Sequence, residues 1–372
     1  MSQLTTRELM LNALNHRYSG RFPTDFWTRP EPEKALMEYY DVDDFQQVKD
    51  ILSITSPVEI DVDWANPEWE TRTGVQILQG ESPSAGERFL LHDERTFEDE
   101  WGVVKRVGSD GKYDEWLRGP LSDMEKPDAS IIQTPPLDRL RYRPDLKEHV
   151  QRLKESGEFT AFGIANPFRT AWHLRGMQNF LMDYHLNPDF VADTYDRLVE
   201  RDLPPLKVAV EAGVDLIVIM GDFAMQDRMF VGPAKWREFD KVAFKKILDF
   251  CRNINPDVRF FVHSDGNVMA AMDDLVFDLG FDMINPMQPE CMDLGLIKKK
   301  YGDRIVMHGC GSLQRTLPFG STEDVRNEVR DIIDNYGENG GLVVMPSNEV
   351  GFDVPVENII TFFETARDYF PY

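Results

Sequence analysis

After residue 159 the chain falls into a repeating pattern of short apolar runs, each followed by sequence with helical spacing. The runs span 160–164, 215–220, 259–262, 282–284, 304–307 and 342–345. Helix starts between them are marked by Asn187-Pro188 and Pro233, by Ser321-Thr322-Glu323-Asp324 and by Pro355. Proline suits the first helical turn because its missing N–H has no partner there anyway. Two earlier runs, 21–27 and 58–62, also lead into or out of helical sequence and bring the number of strand–helix units to eight. Eight such units predict an α/β fold: a single (β/α)8 TIM-type barrel, with a doubly wound sheet as the alternative. Neither a GxGxxG after a strand nor a GxxxxGK[ST] occurs, so no cradle for nucleotide phosphates is expected.

Residues 64–146 break the pattern. Trp64, Trp69, Trp101 and Trp116 sit among Gly, Ser and Asp turns, and 102–107 alternates in the manner of a strand. A hairpin-rich insertion after the second strand, within one domain covering 1–372, is the expectation, packed on the top or side of the barrel. Before it, Thr5 and Glu8 have the spacing of a capping box and predict an N-terminal helix.

The formal charge is −24. Nucleic acid is therefore not an expected partner, since phosphate binding needs a basic face. No apolar run approaches the ~18 residues of a membrane span, and no charged-then-apolar leader is present, so no membrane association is expected. Three cysteines are too few for a disulfide framework, and a cytoplasmic location fits them.

Barrel chemistry sits at the carboxyl ends of the strands. Here those ends carry Asn166 to Arg169, Asp222 with Met225 and Gln226, His263 and Asp265, Asn285 with Gln288, His308 and Cys310, and Asn348 with Glu349. His263 and Asp265 are two apart, so on extended chain both side chains point the same way. They suit a shared metal, proton or substrate oxygen, or a tethered histidine beside a helix cap. Phe168, Phe223, Met225, Met287 and Phe352 could line a small apolar pocket or serve as barrel packing.

These segments resemble the uroporphyrinogen decarboxylase superfamily. The likeness is carried by Phe261 to Val268, Gly280 to Pro289, Thr316 to Val325 and Met345 to Asn358, with Ala13 to Arg17, Arg21-Phe22-Pro23, Arg175-Gly176-Met177 and Asn187-Pro188. It covers essentially the whole chain and implies a single barrel. The superfamily contains cofactor-free decarboxylases of tetrapyrroles and methyltransferases that work with a corrinoid, often with zinc. Where the decarboxylases have a Met-Arg-Gln-Ala-Gly-Arg-like signature, this chain has Phe26-Trp27-Thr28-Arg29-Pro30; their catalytic Asp would fall at Asp61 or Asp63. The zinc-dependent methyltransferases resemble His-x-Cys after the fifth strand with a further Cys after the eighth. This chain has His263-x-Asp265 and Asn348 in those places.

The resemblance therefore implies a corrinoid-dependent methyltransferase, moving a methyl group between a small ether, amine or similar compound and a corrinoid carried by a partner protein. A decarboxylase or a non-catalytic binding barrel is the alternative. His263 and Asp265 would be catalytic, and Zn2+ would draw on His263, Asp265, His308, Cys310 or Glu349. Substrate contacts would come from Trp27, Arg29, Phe168, Asp222, Met225, Gln226, Asn285 and Gln288. A docking corrinoid protein would meet either a locally neutral rim around the strand ends or a positive patch of Arg169, Arg175 and Arg228.

Overall fold

The computed structural model describes residues 4–66, 69, 71–78 and 88–371. Seven parallel strands follow one another around a curled sheet: β1 (Val58–Glu59), β2 (Thr160–Ala165), β3 (Leu216–Met220), β4 (Arg259–His263), β5 (Met283–Asn285), β6 (Val306–His308) and β7 (Leu342–Val343). The run expected at 21–27 is an irregular stave rather than a full strand. It bridges β7's extension in parallel through Thr24 to Val344 and Thr28 to Val350, and Thr24 O accepts the N–H of Thr55 at 3.0 Å on its other side. With this eighth stave the sheet closes as a (β/α)8 TIM-type barrel, and the doubly wound alternative falls.

The helices begin where the sequence marks them. Asn166 accepts the N–H of Phe168 at 2.9 Å and caps Pro167–Arg175. Pro188 opens the helix Pro188–Ala212, and Ser321 forms a capping box with Asp324 ahead of Thr322–Tyr336. Among the described residues, no helix is long and apolar enough to cross a membrane.

Alternation along the strands sorts two cores. On β4, Phe260 and Val262 pack outward beneath the helices, whereas Phe261 joins Ala161, Leu216, Met283 and Val306 inside the barrel. His263, two residues on from Phe261, therefore belongs to the inward set. The helix Thr6–Leu14 sits with Met10 among these interior residues, and Arg7 reaches Asp215 at 3.0 Å. The interior is not filled. It holds a cavity of about 410 Å³ whose walls include Met10, Gly163, Val218, Phe261, Trp27 and His308.

The insertion forms a five-stranded antiparallel sheet, from Val75–Ile77 to Asp114–Arg118, with a small core of Leu78, Phe89 and Phe97. Its last hairpin is anchored at the base by Trp116, whose indole N–H donates to His173 O at 2.9 Å. At its tip Lys112 places its ammonium 3.3 Å from the centre of the Phe352 ring, and Arg29 donates to Lys112 O. The hairpin thus spans from the helix after β2 to the ends of the first stave and β7. The turn sequence at 79–87 lies outside the described residues.

Candidate active site

Strand register brings the site together. Ala165 pairs with Met220, Met220 with His263 and His263 with Asn285, and Ile284 pairs with Met307, so Asn285 stands beside His308. Three successive strands thus end on His263, Asn285 and His308, at one level of the barrel mouth.

The hydrogen bonds among them have one consistent direction. Asn285 Nδ2 lies 2.8 Å from His308 Nδ1 and 3.4 Å from His308 O. A carbonyl only accepts, so the amide nitrogen must face His308. Asn285 Oδ1 then accepts from His263 Nδ1 at 2.5 Å. His308 accepts at Nδ1, so its remaining N–H, on Nε2, points to Asp25 Oδ2 at 3.3 Å. With Nδ1 donating to Asn285, the His263 ring presents Nε2 on its far side. Burial works against the Asp25 carboxylate, but His308, Ser56 and the Phe26 N–H outweigh it and hold its pKa below the ordinary value.

His263 Nε2 faces two acids. Asp222 Oδ1 is 3.7 Å away and also accepts the backbone N–H of Asp265 at 2.8 Å. Asn348 donates to Asp265 Oδ2 at 2.5 Å. Asp265 Oδ1 is buried with no partner. Burial, and then the neighbouring Asp222 charge, push the Asp265 carboxyl up to about 6, against the pull of His263 and Asn348. One ligand atom each from Asp222, His263 and Asp265 lies within 4.8 Å of the others. An imidazole nitrogen and two carboxylates, one of them with an unpartnered buried oxygen, form a donor set suited to a divalent cation.

The other expected ligands are elsewhere. His308 is turned to Asp25 and lines the barrel cavity. Cys310 is wholly buried, which raises its thiol pKa and opposes a ligating thiolate. Glu349 is exposed on the rim. None of the three joins the Asp222–His263–Asp265 group.

The expected substrate contacts divide similarly. Trp27 covers His263, with ring centres 5.4 Å apart, and forms a wall of the cavity, of which His263 is not a wall. Asp222 belongs with the possible ligands. Asn285 and Gln288 brace the site: Gln288 Oε1 accepts the Gly266 N–H at 3.1 Å. Arg29 is buried and committed to the hairpin tip, where it also stacks on Tyr113 at 5.3 Å. Gln226 pairs with Gln314 at 3.1 Å on the rim, and Met225 is half-buried beside it. Phe168 is not at the mouth: its ring packs against Phe180, Tyr184 and Phe230 behind the sheet. Phe223 and Met287 are likewise core residues. Arg175 points inward to Asp183 at 2.8 Å and takes no part in a docking patch, whereas Arg169 and Arg228 are exposed. Asp25 lies in the expected run 21–27 but is given no role by the sequence; it stands two residues after Pro23 in an irregular stave, and no motif marks it.

The chain is similar to several known proteins. A methyltransferase from Methanosarcina mazei superposes with a TM-score of 0.66 at 18% identity, covering 98% of this chain and 99% of that one. A uroporphyrinogen decarboxylase from Methylococcus capsulatus is 28% identical over 113 residues, 30% of each chain. Another, from Psychromonas ingrahamii, is 22% identical over 186 residues, 49% of each. The chain thus spans less than half the length of these curated relatives. The uroporphyrinogen decarboxylase (URO-D) family model matches residues 117–369, more than half of the sequence, and the chain belongs to that family.

Proposed function

We propose that this enzyme is a corrinoid-dependent methyltransferase, moving a methyl group between a small methylated ether or amine and a corrinoid held by a partner protein. The observation that carries the reading is the cluster of His263, Asp222 and Asp265, in which one Asp265 oxygen is buried without a partner. The methyltransferase from Methanosarcina mazei, alike in fold, agrees with it.

The three residues fit a zinc ion. When bound, it supplies a Lewis acid that makes an alkoxide or amine a better leaving group. The chain's own part is positioning. Asn285 holds His263 in the tautomer that leaves Nε2 free, and His308 and Asp25 hold Asn285 in turn. Asn348 holds one Asp265 oxygen, which fixes the carboxyl beside His263 and Asp222. Trp27 covers the His263 ring and limits water on that side.

Without a metal, the same cluster supports proton transfer. Asp265 titrates at about 6, close enough to neutrality to donate to a leaving oxygen. The proton comes from the Asp265 carboxyl itself, and His263 is oriented by Asn285.

Tetrapyrrole decarboxylation has less support. Asp61 and Asp63 are exposed and line a separate cavity with Arg141 and His149, and Arg29 is tied to the hairpin.

The test is metal content of the purified chain, together with the corrinoid spectrum on mixing with a reduced corrinoid protein and a methyl donor. His263→Ala should lose bound zinc and the methyl-corrinoid spectrum while its melting temperature stays near that of the parent. Full methyl transfer by His263→Ala, or no spectral change with any methyl donor or methylated corrinoid, would overturn the reading.

A further inference from the structure

A cavity of about 480 Å³ lies between the last hairpin of the insertion and the end of β2. That volume is within the usual range for a small-molecule site, roughly 300–1,000 Å³. Trp101, Tyr113, Trp116 and Trp172 supply aromatic walls, and Lys105 and Arg169 face it as well. Among the described residues neither cation ion-pairs with a carboxylate, although the chain has 65 acids to 41 bases and other arginines such as Arg106, Arg143, Arg197 and Arg259 do. Two acids share the wall. Asp99 is already committed to its own turn, accepting the N–H groups of Trp101 and Val103 at 2.9 Å each, and Asp114 is also partnered. His173, also in the wall, is driven down to about 3 by burial and then by Lys105 and Arg169. It stays neutral at physiological pH and reports that both cations are close.

The cavity adjoins the acid–histidine cluster. A Cβ placed on Gly221 would stand 2.9 Å from Arg169 Cβ and 3.1 Å from Arg169 Cδ, so the arginine stem crosses directly over the residue before Asp222. Ala165, a wall of the cavity, is two strands from His263 in the ladder. Adjacent strands are ~4.8 Å apart, which sets the separation at roughly 10 Å. One aromatic ring with substituents at opposite ends covers most of that span.

We propose that this cavity seats the body of the substrate and that the substrate is an aromatic carboxylate, its ring between the aromatic walls and its carboxylate on Lys105 and Arg169. The assignment of the substrate's other end, a methylated group at Asp222, His263 and Asp265, rests on the methyl-transfer reading; the anion site does not. With a net charge of −24, the protein repels anions at a distance, so local cations must select them. Guanidinium and ammonium partners favour carboxylate over an uncharged isostere through charge-assisted hydrogen bonds.

The experiment is a titration of the full chain with 4-methoxybenzoate and with the neutral 4-methoxybenzamide, followed by tryptophan fluorescence. The acid should bind at least about 10-fold more tightly than the amide. Lys105→Met and Arg169→Met should each weaken the acid by about 10-fold and leave the amide unchanged, with Arg169→Lys recovering part of the loss. Equal affinity for acid and amide, including binding of neither, overturns the proposal. So does undiminished acid binding by the double methionine variant. The titration needs neither turnover nor a corrinoid partner, so its failure is distinct from failure of methyl transfer.

Discussion

Asn348 and Asp265 meet side chain to side chain at 2.5 Å, joining the loop after β7 to the loop after β4. That bond occupies one oxygen of Asp265, while the other is buried without a partner beside Asp222 and His263. The carboxylate is therefore held for a task and poorly solvated while it waits.

Its charge should cost stability. The folded pKa of about 6 lies above the ordinary 3.8, so between these values the folded chain keeps a proton that the unfolded chain has lost. Stability from this group accordingly falls as the pH rises from about 4 to about 6, and the deficit persists at neutral pH. Asp265→Asn should raise stability at pH 7 by about 1–3 kcal/mol, flatten that part of the pH profile and weaken zinc binding. Thermal melts across pH, with zinc titrations beside them, check this; an unchanged slope and a less stable variant would refute it.

The Asn285 bridge should matter to both histidines. Asn285→Leu keeps the approximate volume but leaves His263 Nδ1 and His308 Nδ1 without their partner, costing about 1–3 kcal/mol. Zinc affinity should drop by about 10–100-fold, as for other groups that orient a ligating histidine. The proton NMR signal of the His263 Nδ1–H should vanish in the variant. A variant with parental zinc affinity and an intact ring N–H signal would show that the tautomer is set elsewhere.

Arg175 serves the scaffold. It is buried with Asp183, and its guanidinium also donates to the carbonyls of Leu121 and Met124 at 2.7 and 2.8 Å. Arg175→Met strands the Asp183 charge and these carbonyls, and should destabilise by about 3–5 kcal/mol. Chemical denaturation measures it. A loss below 1 kcal/mol would mean that the pair is solvated.

The sequence was most legible where strands are buried on both faces. Runs 215–220 and 259–262 are continuously apolar after their first residues, Asp215 and Arg259, and these two strands fall within a residue of the expected limits. The first stave was harder, because a proline and two isolated bridges replace a regular ladder. At the site, the spacing of two between His263 and Asp265 speaks for itself. The partnership of Asp222 does not, since it depends on where the loop after β3 folds. Asn285 illustrates the remaining limit: an amide at a strand end reads alike whether it meets a ligand or, as here, two histidines from neighbouring strands. Phe168 follows a helix cap, and only packing reveals that its ring turns away from the mouth.

Most barrels of this kind are packed solid within; this one is hollow, and Gly163 on β2 has nothing within 4 Å of where a side chain would begin. The hollow is a reserve of evolutionary freedom. Interior positions can gain or lose bulk without moving the strand ends, so selection can adjust rigidity from inside while His263, Asn285 and Asp265 keep their places. A lineage of such chains could diverge in its lining far faster than at its rim.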